Sequence, residues 1–333
     1  MTTEPAAPTL TAVICAYTTD RWDDLGAAVA SVRAQRTPPD EVLLVVDHCP
    51  ELLRRAASLP GLRVLENRHR RGLSGARNTA LAAAHGDVVA FLDDDAVAAP
   101  DWTARLLAGY ADPSVLGVGG HVRPWWETGR PAWFPPEFDW VVGCSYTGLP
   151  DRPAEVRNFI GANMSFRRTP VLAAGGFDDG LGRVGERPLG CEETELCIRL
   201  TAGTPGAVLR HEPSAAVRHH VPGKRTTWSY FVARCYAEGR SKAGVARRSG
   251  TGPALASERR YLRRTVPAAV VRAVLHGRPR TAGALCAGVV TTLAGYTAGR
   301  LRRGPVPSGA RRPGRPAPAP APAPEGTTTG SRP

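Results

Sequence analysis

The sequence predicts an α/β protein: a mostly parallel sheet flanked by helices, followed by a basic helical extension. Three observations lead there. Short apolar runs alternate with helix-period segments over the first 120 residues. Those runs are apolar on both faces, as strands covered on two sides must be. Charge also divides the chain. Of 43 Lys+Arg and 30 Asp+Glu, residues 1–204 hold 20 and 26 (net −6), and residues 205–333 hold 23 and 4 (net +19). With 333 residues and 42% hydrophobic composition, the chain is long enough for a large core and is not globally disordered.

The elements follow in order. Leu10–Ala16 is a buried strand, and Trp22, Leu25, Val29 and Val32 recur at helical spacing. Val42–Val46 and Leu62–Leu65 are the second and third strands. Ser74–Ala84 is a helix with Ser74 as its N-cap, and Val88–Leu92 is the fourth strand. Residues 121–160 lack periodicity and are rich in aromatics and prolines, which suggests a functional loop region or an insertion. Residues 191–202 and Thr226–Ala246 are helical again. Thr281–Gly299 carries no charge but is flanked by Arg278, Arg280, Arg300, Arg302 and Arg303. Residues 304–333 contain nine prolines and little that can bury a core, so a disordered tail is expected. The amino terminus lacks the basic and apolar regions of a signal peptide. Seven scattered cysteines with no CxxC pair suggest reduced thiols rather than a disulfide framework or a zinc ribbon.

Ligands of such sheets bind beyond the carboxyl ends of the strands. There the chain places Ala16-Tyr17-Thr18, then Asp47, then Asp93-Asp94-Asp95, with a basic loop before Arg77. Three consecutive aspartates repel one another unless a divalent cation sits among them, and their hard oxygens suit Mg²⁺ or Mn²⁺. A solvated acidic turn before Pro100-Asp101-Trp102 has the same composition. Asp47 suits a base N–H, and Arg77 a phosphate or a base carbonyl; alone, Arg77 is also an ordinary helix-surface arginine. Near the start of a helix, Glu193 shares a face with Leu196, Cys197 and Leu200, so a partly desolvated carboxylate with a raised pKa, fit for a general base, is expected. Acids at a helix start are also favoured by the dipole alone. His219-His220 could complete a metal site or serve structure.

The order of motifs resembles the inverting glycosyltransferases of family 2, with the GT-A fold. The matching pieces are TAVICAYTTDRW, EVLLVVD, GLSGARNTAL, GDVVAFLDDDA, NFIGANMSFRR, AAGGFD, GCEETELCIRL and VRHHVP, over roughly residues 9–240. The resemblance implies a base and ribose pocket at Ala16, Tyr17, Thr18 and Asp47, with Arg77 helping to hold the nucleotide. It implies a DxD element in which Asp95 binds metal and Asp93 and Asp94 lie near the nucleoside, with Asp93 also close to the metal. Gly161, Ala162 and Asn163 would lie near donor sugar and acceptor, Glu193 would be the base, and His219 rather than His220 the metal-side histidine. Two residues depart from the family pattern. Glu192-Glu193 replaces the usual Glu-Asp, which leaves the choice of base between them open, and His48 follows Asp47. The stretch PAWFPPEFDWVVGCSYTGLP looks like a branch that transfers glucuronosyl groups to a glucosylated polyprenyl phosphate. Its aromatics, Trp140 among them, suit stacking on acceptor sugars or equally a packed core.

The expected organisation is a GT-A catalytic domain over 1–225, a basic extension over 226–303 and a tail over 304–333. The expected partners are a nucleotide-sugar donor, most simply a UDP-sugar, and a glycan or lipid-linked sugar acceptor. For the basic extension, no RNP, zinc-finger or helix-turn-helix motif supports nucleic acid. Arginines beside an apolar stretch fit peripheral attachment to an anionic membrane surface at its cytoplasmic face; a solvated helical extension is the plainer alternative. Thr281–Gly299 just reaches spanning length but is rich in Thr and Gly. A sugar-nucleotide pyrophosphorylase would need a GxGxR loop after the first strand, which is lacking. A non-catalytic sugar-nucleotide or lipid-binding module would not need the base.

Overall fold

A computed structural model describes residues 7–183, 190–249 and 255–301; the predicted tail over 304–333 lies outside them. A single mixed sheet runs β3-β2-β1-β4-β8-β6-β9-β5, with β7 paired to β9. Its first part is parallel: β1 (Leu10–Ala16) lies between β2 (Glu41–Val46) and β4 (Val88–Asp93), and β3 (Arg63–Glu66) adds to β2. Helices α1 (Trp22–Arg33), α2 (Pro50–Ala56) and α3 (Leu73–Ala83) make the crossovers.

Beyond β4 the parallel expectation gives way to a mixed arrangement. β8 (Asn163–Arg167) runs antiparallel to both β4 and β6 (Val115–Trp126), and β6 pairs in parallel with β9 (Val208–Val221). The short β5 (Ala96–Ala98) and β7 (Ala154–Glu155) are antiparallel to β9. The region read as irregular therefore contains part of β6 and a 3₁₀ turn, Pro136–Val142. Helix α4 (Trp102–Ala108) follows β5, α5 (Arg168–Ala173) follows β8, and α6 (Glu192–Gly203) precedes β9.

One apolar cluster lies on each face of the sheet's parallel half. Leu10, Ile14, Leu44, Leu92 and Trp102 belong to one, and Val13, Val45, Phe91 and Phe166 to the other, as the period-2 alternation of a two-sided strand requires. Helix α7 (Trp228–Ser249) and the helical segments Val266–Leu275 and Pro279–Leu301 continue the first cluster through Phe231, Cys235, Ala269 and Leu285, and a short helix, Ala256–Arg260, lies between α7 and these in the chain.

One local expectation is corrected. Helix α3 starts at Leu73 after Gly72, and Ser74 is its second residue, not its cap. The Ser74 hydroxyl instead donates to the Leu181 carbonyl at 2.8 Å, so it ties the helix to a distant loop.

Candidate active site

Parallel pairing sets the site's edge. Because β1, β2 and β4 run the same way, with Ala16 opposite Val46 and Cys15 opposite Asp93, their carboxyl ends share one rim. The cleft there, open to solvent with about 490 Å³ of empty space, is lined by Ala16, Tyr17, Asp47, the three aspartates, Arg21 and Arg183.

The antiparallel pairing of β5 with β9 sets Ala96 opposite His219, and that brings the histidine to the aspartates. His219 Nε2 lies 3.0 Å from Asp95 Oδ1. Ligand atoms of Asp93, Asp95 and His219 fall within 4.8 Å of one another. Two cations complete the cluster: Arg21 Nη1 donates to Asp95 at 2.7 Å and pairs with Asp94 at 2.9 Å, and Arg225 approaches Asp95 at 3.5 Å. Burial opposes ionisation of Asp95, but His219, Arg225 and Arg21 together hold its carboxyl well below the usual range. Asp94 fares differently. Burial, against the pull of Arg21 and with Asp95 and Asp93 repelling, pushes it up to about 8. Its buried Oδ2 has no hydrogen-bond partner. Two carboxylates, one imidazole and an orphaned acidic oxygen nearby make a donor set that fits a hard divalent cation.

Arg77 joins this cluster to α6. It is 1% exposed. Nη1 donates to Glu192 Oε1 at 2.8 Å, Nη2 to the Gly161 carbonyl at 3.0 Å, and Nη2 lies 3.7 Å from Asp93 Oδ1. So Arg77 is a buried bridge between the aspartates and the acidic helix start. Glu192 is thereby anchored, whereas Glu193 is half-buried and accepts a hydrogen bond from Thr194 Oγ1 at 3.1 Å. Burial and the adjacent Glu192 charge push the Glu193 carboxyl up to about 8, in the direction its place on the apolar face predicted.

Other expected residues have different surroundings. Asp47 lines the cleft, but its carboxylate also accepts from Asn67 Nδ2 at 2.7 Å and from the Gly72 N–H at 2.9 Å, closing the loop before α3. The Asn163 side chain, fully buried, does not turn toward the cleft. It donates to the Ala215 and His121 carbonyls and accepts from Trp102 Nε1, because it links β8 to β9, β6 and α4. Ala162 is buried in the core, and Gly161 contributes its carbonyl to Arg77. Trp140 packs on Phe138 beside an aromatic cluster that includes Phe134 and Phe231. His220 turns away from His219 to pair with Asp24 at 3.0 Å beneath Trp125. Residues the sequence reading missed include Arg21, Arg225 and the cleft-lining Arg183. Arg21 stands in the first motif, just past the first strand, and Arg225 just past the last, so position at a strand's carboxyl end was the available signal.

A sequence model of Glycosyl transferase family 2 matches residues 11–173. A glucosyl-dolichyl phosphate glucuronosyltransferase of Haloferax volcanii is 36% identical over 235 residues, 69% of this chain and 75% of that protein. A pre-mycofactocin glycosyltransferase of Mycobacterium tuberculosis is 31% identical over 186 residues, 56% of this chain and 37% of that one. Among solved structures, a mannosyltransferase of Pyrobaculum calidifontis, in complex with GDP-Man and Mn²⁺, superposes with a TM-score of 0.56 at 21% identity, covering 87% of this chain and 88% of that one. The likeness in structure speaks for the fold.

Proposed function

The chain belongs to glycosyl transferase family 2 and is a glycosyltransferase that uses a nucleotide sugar; on that premise we propose an inverting transfer from a UDP-sugar, most simply UDP-glucuronate, to a glycosylated polyprenyl phosphate. The observation that carries it is Arg77, which ties the metal-type cluster and the acidic start of α6 into one buried constellation beside the cleft. The lipid-linked acceptor is supported by the Haloferax relative.

The chemistry follows from the side chains. A Mg²⁺ or Mn²⁺ ion held by Asp93, Asp95 and His219 would neutralise the diphosphate as it leaves. Arg21 and Arg225, at the same carboxylate, are placed to share that developing charge. Tyr17 and Asp47 line the nucleoside end of the cleft. Glu193 takes the acceptor proton, and the acceptor oxygen attacks the anomeric carbon opposite the departing nucleotide. Glu192, fixed by Arg77, holds the helix start in place, so the two neighbouring acids have separate roles. The raised pKa of Glu193 makes it a stronger base once ionised.

We assign residues 1–225 to catalysis and 226–303 to an extension that rests on an anionic membrane. In the helix pair Val266–Leu275 and Pro279–Leu301, Val271, Val274, Leu275, Val290, Leu293 and Leu301 are exposed. No Asp or Glu occurs between Glu258 and Glu325, while arginines recur. An exposed apolar face with only positive charge beside it suits interfacial attachment. Pro279–Leu301 has the length of a span, but even an apolar 18-residue stretch of it has a mean hydropathy of only 1.2, and a third of that stretch is buried against the protein, which favours lying on the surface over crossing.

The test is UDP release from UDP-glucuronate, stimulated by a glucosylated polyprenyl phosphate, with the product's anomeric configuration read by NMR. Retained configuration would refute the mechanism. Release from GDP-sugars alone would refute the donor.

A further inference from the structure

Helix α6 begins with an unusual turn. Cys191, its N-cap, has φ of +72°, a left-handed conformation that a non-glycine residue adopts at a cost. Such a turn persists when its surroundings over-determine it, and here the surroundings come from α7. The Cys191 thiol donates to Glu238 Oε1 at 3.4 Å, and the Gly190 N–H donates to Ser241 Oγ at 3.3 Å. Glu238 is itself held, with Arg234 3.3 Å from Oε2 and Lys242 3.4 Å from Oε1. Lys242 also reaches Glu258 at 2.6 Å, so the clamp extends into the helical segment beyond. Below it, Cys191, the cap of α6, and Ile198 within the helix pack on Val245 and Ala246 of α7.

We propose that Glu238 and Ser241 of α7 are positioning residues for the reaction: they grip the Gly190-Cys191 turn and so fix where α6 presents Glu193. The extension is then part of the catalytic geometry as well as a membrane contact. Rotation of the α6 start by one residue's worth would carry Glu193 away from its place and bring the neighbouring residue toward it, which is the error the clamp prevents. The inference rests on Glu193 as the base. Charged groups face that carboxyl from three elements: Glu192 on α6, Arg77 on α3 and Glu238 on α7. The Glu238 charge therefore also disfavours ionisation of Glu193.

The test uses the full chain and two readouts. The first is UDP release from UDP-glucuronate with a glucosylated polyprenyl phosphate. The second, which needs no substrate, is a ¹³C NMR titration of the Glu193 carboxyl, assigned with Glu193→Gln. Glu238→Gln is expected to lower kcat about tenfold with donor KM within about twofold, as a small displacement of the base would, and to move the Glu193 titration to lower pH. Cys191→Ala and Ser241→Ala, small changes that keep the charges, should lower kcat in the same way without moving the titration to lower pH. Cys191→Ser, which keeps a donor, should recover most of the loss. Unchanged kcat in the Cys191→Ala and Ser241→Ala variants would overturn the proposal, whatever the folding of Glu238→Gln. Full turnover in Glu193→Gln would instead overturn the assignment of the base.

Discussion

At the scale of single residues, the site works by giving chemically alike neighbours different surroundings. Asp94 and Asp95 are adjacent and both buried, yet His219, Arg225 and Arg21 hold Asp95 ionised while Asp94 is pushed up to about 8. Asp95 is thus the carboxylate ready for a cation. Asp95→Ala should abolish metal-stimulated UDP release, and isothermal titration with Mn²⁺ should show weakened binding; full metal-dependent turnover in that variant would contradict the assignment. Glu192 and Glu193 make a second such pair. Glu193 must lose its proton to act as a base, and burial raises its pKa to about 8. A base with a raised pKa is inactive below that value and active above it, so kcat should climb with pH through the region near 8 and level off beyond. Glu193→Gln should cost about a hundredfold to ten-thousandfold in kcat and remove that limb. A flat pH profile in the wild-type enzyme between 6 and 9 would exclude this role.

At the scale of elements, what could be read from the chain was whatever depends on local periodicity. The runs Leu10–Ala16, Val42–Val46 and Val88–Leu92 stand within a residue of the observed strands, because they are buried almost throughout and carry no charge, Thr11 being their one hydroxyl. β6 was not legible, since VLGVGGHVRPWW carries glycines and a proline, which weaken strand patterns, and is kept in the sheet by β8 and β9, distant in sequence. The start of α3 was misplaced for a similar reason: the Ser74 hydroxyl serves a loop more than 100 residues away. The aspartates, Glu193 and His219 could be named from motif order, whereas Arg21 and Arg225 offered only their position past a strand end, and it is folding that brings them to Asp95. The pairing of α7 with Pro279–Leu301 has a glycine signature visible only in three dimensions. A Cβ on Gly239 would lie 2.0 Å from the Thr292 carbonyl oxygen, and one on Gly295 2.0 Å from that of Tyr236. These obstacles are backbone and cannot rotate aside. Gly239→Ala and Gly295→Ala should each destabilise the protein by about 1–3 kcal/mol, as overpacking does, measurable as a lowered urea midpoint. An unchanged midpoint would mean that the helices do not cross this closely.

At the scale of the whole molecule, the net charge of +13 is the sum of two unlike halves. The sheet is acidic where it gathers aspartates, and the excess of arginine belongs to the helices behind it and to the sequence beyond. Buried charge in that extension is paired, as in the Arg157–Glu258–Lys242 contacts, so its surplus is at the surface beside Val271, Val274, Leu275, Val290 and Leu293. Association of this face with a second copy would bring like charges together, whereas an anionic bilayer satisfies both the apolar area and the charge. The full chain should therefore float with vesicles containing anionic phospholipid, float less with neutral vesicles, and release partly at high salt as screening weakens the ionic share. Val290→Asp with Leu293→Asp changes exposed positions on the face of Pro279–Leu301 opposite α7, so the fold and turnover of a detergent-dispersed acceptor should survive while flotation falls. Equal flotation on neutral and anionic vesicles would remove the electrostatic part of this reading. Flotation unaffected by the double substitution would place membrane contact elsewhere on the molecule.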